Sequence, residues 1–132
     1  MRLLLDTHVF LWLNTQPERL GDRLSLVEDR RSEIIFSAVG SWEIAIKHAL
    51  GRLPLPEPPE RYVPSRMRSI GATGLAVEHS HALALASLPS LHRDPFDRLL
   101  VAQSMLLDVP ILTADAMLTR YPVRTVMVGG DS

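Results

Sequence analysis

Short, almost wholly apolar runs recur along this chain, and between them lie segments whose apolar residues repeat at helical spacing. The runs cover residues 2–5, 34–37, 75–77, 111–113 and 124–128. Brief apolar stretches of this kind, with no polar alternation, read as strands covered on both faces. Strands that alternate with helices pair in parallel through crossovers. The pattern therefore predicts a three-layer α/β/α sandwich around a central, mainly parallel sheet.

The helical segments are delimited by their end signals. Residues 7–14 follow Asp6, a favoured N-cap, and a turn over 16–21 leads to a charged surface helix over about 22–31. Trp42, Ala45, Ile46, Ala49 and Leu50 recur at i, i+3, i+4, i+7 and i+8 and stop at Gly51. Residues 53–64 carry Pro54, Pro56, Pro58, Pro59 and Pro64 and read as an irregular excursion. Helices are then expected over 61–70 and 79–88. Another opens at Asp94-Pro95-Phe96-Asp97, with Asp94 as N-cap and Pro95 at the first helical position. A single turn follows over 115–119, and residues 129–132 are expected to fray.

A chain of 132 residues with 46% hydrophobic and 22% charged residues is expected to form one globular domain over 1–132. It has no cysteine, which excludes disulfides and thiolate metal sites and suits the cytoplasm. No apolar stretch is long enough to suggest a signal peptide or a membrane span. The formal charge of −1 excludes global attraction to nucleic acid, so any such binding must use a local basic patch.

Four acids, Asp6, Glu43, Asp97 and Asp115, fall where a strand gives way to a helix or in the first turn of that helix. In a parallel sheet these junctions gather at the carboxyl edge of the strands, where ligands bind. Carboxylates crowded there repel one another unless a cation neutralises them, and hard ions such as Mg²⁺ or Mn²⁺ match oxygen donors. Each acid also has an ordinary structural reading. Asp6 and Asp115 are plausible N-caps, Asp97 is placed for a capping box with Asp94, and Glu43 stands four residues before Lys47 for a surface ion pair. Capping alone would scatter acids between both edges of the sheet. The joint pattern favours a site.

The residues around these acids also resemble the PIN domain of the VapC toxin type. The similarity runs through Leu4-Leu5-Asp6-Thr7-His8 and Ser41-Trp42-Glu43-Ile44-Ala45-Ile46-Lys47. It continues through His92-Arg93-Asp94-Pro95-Phe96-Asp97-Arg98-Leu99-Leu100-Val101-Ala102-Gln103, then Leu112-Thr113-Ala114-Asp115 and Tyr121-Pro122-Val123. Four ordered blocks that each carry one of the acids make a specific match, and the family's acids map onto Asp6, Glu43, Asp97 and Asp115. Gly40 and Asp108 depart from the family pattern without touching the acidic set.

The resemblance implies a Mg²⁺- or Mn²⁺-dependent endoribonuclease, leaving 5′-phosphate and 3′-hydroxyl ends and neutralised by a cognate antitoxin of the VapB type. A homodimer is implied in the same way. Asp6 and Asp97 are then the principal metal ligands, with Glu43 and Asp115 completing the set directly or through water. Among the other residues, Thr7 and Thr113 are candidates to hydrogen-bond a ligand carboxylate. Lys47, Arg52, Arg93 and Arg98 are candidates for a basic rim that grips phosphate, although Arg98 is equally placed to pair with Asp94 or Asp97. His8 and His92 adjoin acids, and His79 with His81 makes only a weak metal pair. Met67 and Met105 read as core or core edge.

Val9, Phe10, Leu11, Trp12 and Leu13 make the first helix apolar almost all round, so it must be covered on more than one side. One reading buries it between the sheet and the next helix. A sharper one adds an antitoxin segment in a groove shared with the Trp42 helix. Other functions fit less well. A haloacid-dehalogenase-like phosphatase needs an acid where His8 stands, and a receiver-like domain needs a lysine near the last strand, which 120–128 lacks. A non-catalytic nucleic-acid or protein binding module with the same fold is the remaining alternative.

Overall fold

The computed structural model of the protein describes residues 1–128, so the expected fraying over 129–132 lies outside the described residues. Five parallel strands, β1 (Arg2–Leu5), β2 (Glu33–Ser37), β3 (Thr73–Leu75), β4 (Ile111–Thr113) and β5 (Thr125–Met127), form one sheet in the order β3-β2-β1-β4-β5. The helices are α1 (Thr7–Thr15), α2 (Leu24–Glu28), α3 (Ala38–Ala49), α4 (Pro59–Ile70), α5 (His79–Leu83) and α6 (Pro95–Leu107). Shorter 3-10 segments cover Pro17–Arg23, Ala84–Ser87 and Ala116–Arg120.

Successive strand residues point to opposite faces, and the core divides accordingly. Leu3, Leu5, Ile34, Phe36 and Leu112 pack with Val9, Phe10 and Leu20, with Ile44 of α3, and with Tyr62 and Val63 of α4. Leu4, Ile35 and Ile111 face the other way, onto Leu100, Val101 and Ala102 of α6 and onto Leu118 and Tyr121. Both faces are covered, which gives the three-layer α/β/α architecture expected from the alternation. Among the described residues no helix is long and apolar enough to cross a membrane.

Some boundaries differ from expectation. The third strand lies at Thr73–Leu75, not 75–77, because Gly71 adopts a left-handed conformation (φ +68°) that ends α4 and turns the chain directly into β3. α4 begins at Pro59, since a proline at the first helical position gives up no hydrogen bond. The helix expected over 22–31 is split: a 3-10 stretch kinks at Gly21 and only Leu24–Glu28 is α-helical. The helix expected over 79–88 is likewise α-helical only to Leu83. α3 starts at Ala38, well before Trp42, because Ser37 ends β2 and its Oγ also accepts from the Val39 N–H as N-cap.

Gly40, on the buried side of α3, is there for space. A Cβ on it would run into the Phe36 ring. That ring is fully buried and stacked on Phe10 with centroids 3.9 Å apart, so it has nowhere to retreat. Alanine would ordinarily gain about 1 kcal/mol over glycine inside a helix. Here the overpacking, roughly 1–3 kcal/mol, prevails. Gly40→Ala is therefore expected to destabilise the protein by up to about 2 kcal/mol in urea unfolding. A stability equal to or above wild type would show that the ring does yield.

Candidate functional site

The strand order reverses direction at β1: the chain proceeds outward to β2 and β3, then returns to place β4 on the other side. The crevice beyond the carboxyl ends of β1 and β4 is the topological switch point, where open parallel sheets bind ligands. Asp6 follows β1 and Asp115 follows β4, so both stand at that crevice. α6 opens at the same edge and runs back to β4, bringing Asp97 there in its first turn. Glu43 arrives from α3, but in the second turn of that helix and not the first. Helical side chains lean toward the N-terminus of their helix, which carries the Glu43 carboxylate back toward the edge. Trp42 and Phe96, the residues just before Glu43 and Asp97, meet edge to face with centroids 4.6 Å apart and pin α3 against α6.

Asp6 is buried, and each of its carboxylate oxygens accepts one hydrogen bond, leaving a lone pair on each. Oδ1 accepts the His8 N–H at 2.9 Å as the cap of α1, and Oδ2 accepts the Thr113 hydroxyl at 2.7 Å. The Thr113 Oγ in turn accepts the Asp115 N–H at 3.0 Å, linking the ends of β1 and β4. Burial alone would raise the Asp6 pKa, but the bonds from His8 and Thr113 and the nearby imidazole outweigh it, so the carboxyl is held below its ordinary value. His8 is raised for the reciprocal reason, its Nδ1 lying 3.6 Å from Asp6 Oδ1.

Asp97 is the opposite case. Burial, then the charges of Asp94 and Asp6, push its carboxyl up to about 7; Glu43 adds to this, and a hydrogen bond from His92 only partly offsets it. Two carboxylates at one edge with pKa values driven apart are what an anionic pocket lacking a counter-ion produces. Glu43, also buried, is paired with Lys47. The Lys47 pKa is depressed by burial, yet raised on balance by Glu43 and by Asp94 and Asp97 beyond it. The i, i+4 pair read from sequence thus exists, but the carboxylate is buried instead of lying on the surface. Asp115 is exposed and caps the Met117 N–H through Oδ1 at 2.9 Å.

Among the described residues, no three His, Asp or Glu side chains stand in a formed metal-ligating arrangement. The donor chemistry nevertheless suits a hard cation: every acid at the edge is a carboxylate, and the displaced Asp97 titration marks negative charge that Lys47 does not neutralise. Two small concavities flank Asp6. One, about 220 Å³, is lined by Asp6, His8, Trp12, Ala114 and Asp115. The other, about 280 Å³, lies between α1 and α3 and includes Glu43, Lys47 and Arg52. Lys47 and Arg52 therefore border the acidic edge, and Arg93 is exposed near the start of α6.

Several residues expected at the site stand elsewhere. Arg98 turns away: its Nη2 reaches the Leu85 carbonyl at 3.5 Å, while its Nε is buried without a partner. It pairs with neither Asp94 nor Asp97: the residue next to Asp97 lies about 100° further round the helix, and Asp94 is turned onto the N–H groups it caps. Asp94 is the cap of α6, accepting from the Phe96 and Asp97 N–H groups. Thr7 is buried but bonds to none of the four carboxylates among the described residues. His79 is exposed while His81 is buried, accepting at Nδ1 from the Glu78 N–H and contacting Gln103, so the two form no metal pair. Met67 packs at the core edge, whereas Met105 is exposed. The outer side of α1 is covered within the chain, with the Arg19 guanidinium 4.0 Å above the Trp12 ring. A larger apolar groove, about 560 Å³, lies between α3 and α4.

Two contacts near the acids had no signal in local sequence spacing. Gln103 of α6 receives the Ser37 hydroxyl and approaches His81, tying the start of α3 to α5 and α6. His92 lies between the Tyr121 hydroxyl and Asp97. Each joins residues far apart in the chain.

Comparison with known proteins agrees with this geometry. A stretch of 64 residues is 45% identical to Ribonuclease VapC16 of Mycobacterium tuberculosis (strain ATCC 25618 / H37Rv), covering 48% of this chain and 45% of that relative, so the match spans less than half of either. Among solved structures, the chain resembles VapBC2 from Rickettsia felis bound to a promoter DNA fragment, with a TM-score of 0.74 at 13% identity over 97% of this chain and 99% of that one. It also resembles DNA-bound VapBC from Salmonella typhimurium, with a TM-score of 0.65 at 16% identity over 96% and 98%. At such identities the likeness is one of fold. Residues 3–123 match the PIN domain family, and with its five-stranded sheet and acidic switch point this chain belongs to that family.

Proposed function

We propose that this protein is a divalent-metal-dependent endoribonuclease of the VapC toxin type, acting on cellular RNA in the cytoplasm and held in check by a VapB-type antitoxin. The observation that carries this reading is the convergence of Asp6, Glu43 and Asp97 on the switch point, with the Asp97 carboxyl raised by burial and then by its neighbours' charge. The ribonuclease with a 45% identical stretch and the VapBC complexes of the same fold support it.

Asp6, Glu43, Asp97 and Asp115 are the residues that would hold Mg²⁺ or Mn²⁺. Such an ion, when bound, makes water nucleophilic at neutral pH and neutralises charge building on the phosphoryl oxygens. The protein's own contribution is electrostatic and positional. His8 and Thr113 keep Asp6 ionised, Asp94 fixes the first turn of α6, and Lys47 with Arg52 and Arg93 offers phosphate contacts beside the acids. Attack by water on phosphorus with cleavage of the P–O3′ bond leaves a 5′-phosphate and a 3′-hydroxyl. For the antitoxin and for a homodimer, α3 presents exposed Trp42, Ile46 and Leu50 on one flank and the groove with α4 on the other.

The test is incubation of total cellular RNA with the purified protein in Mg²⁺ or Mn²⁺ against EDTA. Discrete fragments that require the metal are expected. Intact RNA in all conditions, with no heat of metal binding in calorimetry, would favour the non-catalytic binding module.

A further inference from the structure

The strongest unassigned arrangement near the acids is the line Tyr121–His92–Asp97. The Tyr121 hydroxyl lies 2.6 Å from His92 Nδ1, and His92 Nε2 lies 3.4 Å from Asp97 Oδ2. Tyr121 is buried in the core beneath α6, and the His92 side chain is only 18% exposed. The rings lie with centroids 5.4 Å apart, and Tyr121 has no other side-chain partner among the described residues. Asp97 Oδ1 accepts no hydrogen bond among the described residues.

Donor and acceptor inventory fixes the direction of this chain of bonds. A phenol O–H has one proton to give, a neutral imidazole has one N–H and one lone pair, and an ionised carboxylate only accepts. With Asp97 ionised, as holding a cation requires, all three groups are satisfied together only if Tyr121 donates to Nδ1 and the N–H at Nε2 donates to Asp97. The opposite tautomer would aim a lone pair at the carboxylate. The tyrosine therefore selects the tautomer, and the histidine presents a proton to one carboxylate oxygen while the other is left open toward the edge.

Resting on the metal-dependent nuclease reading, we infer that His92, locked by Tyr121, is a positioning residue that orients Asp97 for a divalent cation. Outer partners of this kind fix ligand orientation, and their loss weakens metal binding. His92 itself touches neither ion nor RNA in this scheme. The alternative is a clamp that merely fastens the loop before α6 to the core.

Side-chain geometry separates the two. In His92→Asn the amide stands in place of Nδ1, so it keeps Tyr121 and loses Asp97. In His92→Gln the amide stands in place of Nε2 and keeps a donor toward Asp97. Tyr121→Phe removes one oxygen and with it the tautomer selection. Titration of the metal-stripped full chain with Mn²⁺ alone, by calorimetry, is the primary reading, with metal-free thermal unfolding and RNA cleavage kinetics beside it. His92→Asn is expected to weaken Mn²⁺ binding by about tenfold or more, His92→Gln to stay within about threefold of wild type, and Tyr121→Phe to fall between. In cleavage, kcat at subsaturating Mn²⁺ should drop for His92→Asn with KM for RNA unchanged. Wild-type Mn²⁺ affinity in His92→Asn, or equal losses in the Asn and Gln variants, would overturn the positioning role and leave the nuclease intact. A wild-type protein with no Mn²⁺ affinity would overturn both.

Discussion

Asp6→Asn is expected to abolish metal-dependent RNA cleavage, lowering the single-turnover rate by about a thousandfold, while the protein keeps its fold. The separation follows from the bonds Asp6 makes. Asparagine is as good an N-cap as aspartate, so its Oδ1 still accepts the His8 N–H that starts α1. Its Nδ2 meets Thr113 Oγ, which then accepts where it formerly donated and still accepts from Asp115. The bond count at the β1–β4 junction is preserved; what is lost is the charge and the acceptor of the buried Thr113 O–H, a stability cost of about 1–3 kcal/mol. A carboxylate whose neighbours hold it ionised contributes that charge fully at neutral pH. Removing it forfeits several kcal/mol of stabilisation of the cation and the phosphoryl charge, which corresponds to about three decades in rate. Cleavage of a defined RNA at saturating Mn²⁺, with circular dichroism and metal titration of the same preparation, reads all three consequences. A variant that binds Mn²⁺ and cuts at the wild-type rate would remove Asp6 from the site.

The sequence made this junction legible because the signals are local. An apolar run ending in Asp6, a proline after Asp94 and an alternation of strands with helices together predicted the sheet, the α6 cap and the shared edge. The sequence pattern places Glu43 one turn too early because the start of α3 is disguised. Ser37 is at once a buried strand residue and an N-cap, and Ala38-Val39-Gly40 carries no helical periodicity of its own. β3 was displaced because it is an edge strand with mostly exposed residues, so hydrophobicity marks it poorly. The turn at Gly71 was the better guide. Arg98 is different again: the sequence leaves it between a phosphate rim and a pair with Asp94 or Asp97, whereas its guanidinium reaches the Leu85 carbonyl, a contact 13 residues away that no spacing rule singles out. His92 with Tyr121, and Gln103 with Ser37, are pairings of 29 and 66 residues' separation, which no spacing rule addresses.

The displaced Asp97 titration gives the second large effect, on stability. Its carboxyl is pushed up to about 7 in the folded protein by burial and by Asp94 and Asp6, against an unperturbed 3.8. Below about pH 4 the group is protonated whether the chain is folded or not, and it imposes no penalty. Between about 4 and 7 the unfolded chain releases that proton while the folded one retains it. Stability therefore declines across this window, by at most about 4 kcal/mol for a shift of roughly three units, and levels off above 7. Asp6, held low, acts in the opposite sense but only at more acidic pH. His8, held high, loses its contribution as pH rises through its own raised pKa, above 6.5, and adds to the decline. The metal-free protein should thus melt at progressively lower temperature from pH 5 to pH 8. Asp97→Asn removes one of these causes and leaves His8 in place. The difference between variant and wild type should therefore grow in favour of the variant from pH 5 to pH 7 and then hold constant. Mn²⁺ added at pH 8 should recover wild-type stability and do much less for the variant, since a ligand that binds only the folded chain stabilises it by mass action. A wild-type melting temperature that is flat over this range, or an Asp97→Asn protein no more stable at pH 8, would mean that Asp97 is not held in the field of Asp94, Asp6 and Glu43. The same charge that makes the metal-free fold expensive at neutral pH is what an incoming cation would relieve, so stability lost and affinity gained are two readings of one electrostatic quantity.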